Sequence, residues 1–154
     1  MRMLTVETAA DLAKHVGETL GTSEWFAIDQ KMIDAFAEAT GDHSWIHVDV
    51  ERAKREMPGG KTIAHGYLTL SLIPRLSQTV YRIQQRGKGF NYGANRIRFT
   101  APVPVGSRVR LTETLKDAQE TGSGLRLTFD CVMEVEGGQR PAMLAEIIVL
   151  IAKD

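Results

Sequence analysis

The chain of 154 residues has a single cysteine, Cys131, so no intramolecular disulfide can brace it, and a reducing compartment is expected. It also lacks net charge. Its 19 Lys and Arg balance 19 Asp and Glu, which excludes a globally basic nucleic-acid binder. Long apolar runs are missing too. The longest, Tyr67–Pro74 and Ala142–Ala152 with Glu146 inside it, fall well short of the roughly 20 residues a membrane-spanning helix needs, so no membrane association is expected. The opening MRMLTVETAADLAKH has no basic stretch followed by an apolar one, so it does not read as a secretory signal, and a cytoplasmic location is expected. No repeat or low-complexity segment is present. With 43% apolar residues the composition excludes disorder, and the length suits one domain over residues 1–154 without a separate cofactor domain.

The zero balance conceals segregation. Residues 1–49 hold three basic and nine acidic side chains, 50–110 hold twelve and two, and 111–154 hold four and eight, giving −6, +10 and −4. So basic a middle segment points to an anionic partner or to neutralisation by the acidic parts of the same fold.

Two kinds of pattern divide the chain. From Asp29 to Gly41 the period is helical: Asp29 is a good N-cap, Ile28 and Ile33 stand at staple positions, and Gly41 is placed to end the helix in a left-handed turn. DHSWIHVD follows neither period and reads as a loop, after which Asp49 can cap a short helix through Ala53 and Lys54. Residues 64–83 are apolar on most faces, the mark of a helix buried by its surroundings, with Pro74 expected to kink it. Strands are expected near 89–100, 107–121, 124–136 and 141–152, the last three joined through TGSG and EGGQ, and Trp25–Ile28 can add another. The order matches an α+β hot-dog layout, in which an antiparallel sheet wraps one long hydrophobic central helix. The nearly continuous apolar run MLAEIIVLIA implies a strand covered on both faces, and such a protomer leaves an edge for a second copy, so a homodimer is expected.

The chemistry concentrates in FAEATGDHSWIH, residues 36–47. Asp42 and His47 lie five positions apart, directly after a glycine-terminated helix, where both can point into one pocket and share a water. On spacing alone, a turn aspartate and a solvated histidine account for the pair as well. A metal site from Asp42, His43 and His47 has no thiolate and no matching partner spacing to support it, so no metal is expected.

The segment resembles the signature of the MaoC-like dehydratases, or (R)-specific enoyl-CoA hydratases. Phe36, Thr40, Gly41, Asp42, Ile46, His47 and Ala53 match; Ala39 stands for a larger aliphatic, Ser44 for Asn and Trp45 for Pro. IAHG (63–66), NYGANRIRF (91–99) and PVPVG (102–106) are also similar to the family, and the Ser-Trp variant most resembles its nodulation-protein-N-like branch. The resemblance implies reversible hydration of trans-2-enoyl thioesters, with coenzyme A as part of the substrate and no separate cofactor. Asp42 and His47 would be the acid–base pair, and the Gly66 N–H at the head of the central helix would stabilise charge on the thioester oxygen.

Other residues carry two readings each. Ser44 can bond the water or the thioester, or simply shape a turn. Trp45 and Tyr67 can line the acyl pocket or pack. Asn91 and Asn95 are expected on one strand face with Ile97 and Phe99. Arg96 and Arg98 share the opposite face, as solvated side chains or as contacts to the carrier's phosphates, with the basic segment gathering partly at the pocket mouth. His65 reads first as a structural histidine fixing the helix entry, His43 as solvated and Cys131 as core. Two alternatives share the fold: an acyl-CoA thioesterase, and a non-catalytic acyl-thioester-binding or accessory subunit. Nucleic-acid binding ranks last because no motif for it is present.

Overall fold

The computed structural model describes residues 3–153. Strand β1 (Leu4–Thr8) runs into helix α1 (Ala9–Ala13), started by a capping box in which Thr8 and Asp11 satisfy each other's backbone N–H groups. Strands β2 (Thr19–Thr22) and β3 (Phe26–Ala27) precede helix α2 (Gln30–Thr40). Asp29 caps α2 by accepting from the Met32 N–H, and Gly41 ends it at φ 81°. Two short helices follow, α3 (Trp45–Val48) and α4 (Val50–Glu56), the second capped by Asp49. Then come α5 (Gly66–Ser71), α6 (Ile73–Ser77), β4 (Tyr81–Gln85), β5 (Gly89–Phe99), β6 (Arg108–Thr121), β7 (Gly124–Val135) and β8 (Met143–Ala152).

The main sheet is antiparallel, in the order β2-β6-β7-β8-β5, with β3 also pairing β6. It curls around α5 and α6. Leu68, Leu72, Ile73 and Leu76 from the helical pair join Leu111, Leu127, Phe129, Met133 and Met143 from the strands in one buried cluster. This is the hot-dog arrangement, with the helix apolar nearly all round because the sheet surrounds it. No helix among the described residues is long and apolar enough to cross a membrane.

The central helix is shorter than its apolar run. It breaks at Leu72, whose N–H reaches both Leu68 and Thr69 carbonyls, just ahead of Pro74, and it ends at Ser77. Residues 81–85 are a strand instead, pairing in parallel with β1 so that Ile83 lies opposite Val6. The expectation for β8 also fails in part. Met143, Ala145, Val149 and Ile151 are buried, but Leu144 on the other face is 42% exposed. Its neighbour β5, at the end of the sheet order, exposes Phe90, Tyr92 and Phe99.

One inward position of β6 breaks the apolar pattern. Along β6 the inward residues are Val109, Leu111, Glu113 and Leu115, all buried. One carboxylate oxygen of Glu113, Oε2, accepts from the Cys131 thiol at 3.7 Å, while Oε1 has no partner among the described residues. Burial pushes this carboxyl up to about 7, with the Ser77 hydroxyl, the Cys131 thiol and the Arg86 charge working more weakly the other way. The same burial, with the Glu113 charge, pushes the Tyr81 and Cys131 acidities further out of range.

A carboxyl whose folded pKa is raised stabilises the fold below the ordinary carboxylate range, and that contribution is lost as pH rises through about 7. Glu113→Gln should therefore flatten the pH dependence between pH 5 and 8 and raise stability at pH 8 by up to about 3 kcal/mol. Urea unfolding at pH 5.5 and pH 8 checks this; equal pH slopes in variant and parent would contradict it.

Candidate active site

The left-handed turn at Gly41 sets the geometry. A Cβ there would meet nothing within 4 Å, so conformation rather than space selects glycine. The turn brings Asp42 out of α2, and its Oδ1 accepts the Ser44 N–H at 3.2 Å. This Asx turn starts α3, so the stretch expected as irregular loop contains one helical turn, too short to show a period. That turn rotates His47 inward until it is only 8% exposed, while Asp42 stays at the surface.

Two backbone carbonyls then fix the imidazoles. His47 Nδ1 lies 2.7 Å from the Ile63 carbonyl. A carbonyl only accepts, so Nδ1 carries the proton and Nε2 is left with a lone pair. His65, the residue before α5, donates from Nε2 to the Asp42 carbonyl at 3.0 Å and is 3% exposed. The two rings stack at 3.9 Å and 23°, with Phe36 tilted against His65 at 4.8 Å. Asp42, His47 and His65 each offer a ligand atom within 4.8 Å of the others. The structure thus joins His65, not His43, to the predicted pair; His43 is exposed and lies 3.5 Å from Glu38.

A cavity of about 300 Å³ opens beside this cluster, lined by His47, Gly66, Thr69, Phe99 and Val103 among others. Gly66 begins α5, where its N–H has no backbone partner among the described residues. The Phe99 ring packs on it so closely that a Cβ would stand 3.0 Å from the ring carbons. Thr69 carries no sequence signal, and Phe99 is expected from the sequence only as sharing the strand face of Ile97. The alternation of Ile97 and Phe99 with Arg96 and Arg98 is the signal that marks Phe99.

The remaining residues scatter. Ser44 sits at the N-cap of α3 without a side-chain cap bond. Trp45 lies under the Arg52 guanidinium at 4.1 Å, and Tyr67 is 68% exposed, edge-on to Phe99. Neither Trp45 nor Tyr67 lines the cavity. Asn91 and Asn95 do not share a face, because β5 is bulged between Asn91 and Gly93 and again between Ala94 and Arg96. Asn91 stands opposite buried Val149, whereas Asn95 bonds Glu146 at 2.6 Å, opposite Arg96 on the outer face. Arg98 lies opposite exposed Leu144 and donates to the Ile97 carbonyl. The basic segment is partly spent within the fold: Arg52, Lys54, Arg108 and Arg110 pair with Glu56, Glu51, Glu136 and Glu134. Those four do not gather at the cavity mouth.

Residues 11–127 match the family described as a MaoC like domain. The chain is 50% identical to 3-hydroxyacyl-thioester dehydratase Z from Mycobacterium tuberculosis over 148 residues, covering 96% of this chain and 97% of that protein. It is 44% identical to Nodulation protein N from Rhizobium leguminosarum, covering 94% and 91%. Among solved structures it is similar to an unliganded R-hydratase from Pseudomonas aeruginosa, with TM-score 0.71 at 21% identity over 90% of this chain and 83% of that one. At that identity the likeness shows the fold.

The hydrogen bonds require opposite neutral tautomers in two stacked rings. Imidazole 15N spectra, recorded where both rings are neutral, should show His47 protonated on Nδ1 and His65 on Nε2. Nε2 protonation of His47 would contradict the geometry.

Proposed function

The chain belongs to the MaoC-like dehydratase family, and from that membership we propose that it is a 3-hydroxyacyl-thioester dehydratase, working reversibly as an (R)-specific hydratase of trans-2-enoyl thioesters. The observation that carries this reading is the cavity at the head of the central helix, lined by His47 and Gly66, with the Asp42 carboxylate within 4.8 Å of a His47 ring nitrogen. The relative with half its residues identical over nearly the whole chain supports it.

The chemistry follows from what each group can do. In dehydration a proton leaves C2, negative charge grows on the thioester oxygen, and the C3 hydroxyl departs as water after taking a proton. Asp42 and His47 act as a pair holding one proton between them: one takes the C2 proton while the other gives its proton to the departing hydroxyl, so the pair ends with the one proton it began with. Holding Nδ1 on the Ile63 carbonyl keeps the His47 ring in one orientation throughout. The unpaired Gly66 N–H supplies a donor for the charged oxygen, and glycine lets the thioester approach the backbone. Hydration runs the same steps backwards, and the carbon–sulfur bond stays intact.

We further infer that coenzyme A is the carrier, that Arg96 and Arg98 on the outer face of β5 meet its phosphates, and that a second copy covers the exposed strand β5. A cytoplasmic setting suits the single buried Cys131.

Asp42→Asn and His47→Gln should each fold normally and lose about 10²- to 10⁴-fold in crotonyl-CoA hydration. Loss of enoyl absorbance, followed together with free thiol, checks this. Near-parent rates in either variant would overturn the assignment, and thiol release matching substrate loss would favour a thioesterase.

A further inference from the structure

Beside the helical pair, away from the acid–base pair, two further cavities form a groove that ends at polar groups. Past the cavity at Gly66, Thr69 and Phe99 lies an apolar one of about 430 Å³, between Leu70 and Pro74 on the helical side and Ala94 and Ile97 on β5. Ile73, Pro74, Asn91 and Ile147 line this second cavity and also a third of about 440 Å³, whose other walls include Ser77, Arg86 and Glu113. The first and second share no wall but are each lined by α5 and β5, and the second and third share the four walls named. From Gly66 to Ser77 the helical rise spans at most about 16 Å.

An alkyl terminus does not suit the far end. Glu113 is 1% exposed and its Oε1 has no partner among the described residues, so a hydrocarbon placed there would leave that desolvated oxygen unpaired. A carboxylate would meet Glu113 as well as Arg86, and an ammonium Arg86 as well as Glu113, so the cavity as a whole matches neither charge. A hydroxyl meets neither penalty: it donates to Glu113 Oε1 and accepts from the Asn91 amide or the Ser77 hydroxyl.

We propose that the groove holds the acyl chain of the thioester and that Glu113, with Ser77 and Asn91, binds a hydroxyl carried near the end of that chain. An extended chain advances about 1.3 Å per carbon, which places the hydroxyl on the order of twelve carbons from the thioester carbonyl. The proposal rests on the dehydratase reading and adds the class of acyl chain.

The test compares kcat/KM for four trans-2-dodecenoyl-CoA esters, ending in methyl, hydroxyl, carboxylate or ammonium, with crotonyl-CoA run alongside. The hydroxylated chain should exceed the methyl-ended one by at least about tenfold. In Glu113→Leu that ratio should fall to about one, whereas Glu113→Gln should keep part of it. Asn91→Leu, on the edge strand, gives the same readout should Glu113→Leu not fold. A parent enzyme that hydrates crotonyl-CoA but prefers the methyl, carboxylate or ammonium end, or a ratio unchanged in these variants, overturns the hydroxyl site and leaves the reaction standing. Failure to hydrate any ester overturns both.

Discussion

Two reciprocal hydrogen bonds hold the loop after α2 to the approach of the central helix. His47, on the loop side, donates to the Ile63 carbonyl; His65, on the helix side, donates to the Asp42 carbonyl. Each imidazole thereby orients the backbone that carries the other's neighbour, and their stacked rings leave little room for either to turn. The pair of bonds fixes three things together: the exposed Asp42 carboxylate, the free Nε2 of His47, and the start of α5 where the Gly66 N–H is unpaired. Their removal would uncouple Asp42 and His47 from the Gly66 N–H, which lies about twenty residues further along the chain.

The rest of the fold supplies a frame for that joint. The sheet buries α5 and α6 in its curl, so the helix head is anchored by apolar contacts behind it while its unpaired end faces the cavity. β5 pairs only with β8 in the sheet order and stands off from the helix enough to leave a groove. The bulges in β5 turn Asn95 outward and leave Asn91 on the inner face, and so decide which amide the groove can use.

Much of this was readable from residues. Asp29, Gly41 and Asp49 marked helix boundaries because capping and left-handed turns are local requirements, satisfied wherever those residues fall. The hairpin glycines marked β6, β7 and β8 for the same reason. The parts that escaped depend on distant partners. Tyr81–Gln85 is apolar enough to prolong the preceding helix, and only β1, some seventy residues earlier, makes it a strand. The bulges in β5 arise from register with β8, so the plain alternation of NYGANRIRF put Asn95 on the wrong face. α3 is a single turn, below the length at which a period exists. The acid and imidazole were evident as residue types, but His65 joined them only through a backbone carbonyl, which no side-chain pattern reveals.

The central claim is that Asp42 and His47 add and remove water at the double bond while the thioester survives. Turnover of crotonyl-CoA in deuterium oxide, with the product isolated and its configuration assigned, tests it most directly. The account predicts (R)-3-hydroxybutyryl-CoA carrying one deuterium at C2 and no free coenzyme A. Free coenzyme A with unlabelled crotonate, or recovery of unchanged crotonyl-CoA, would contradict it.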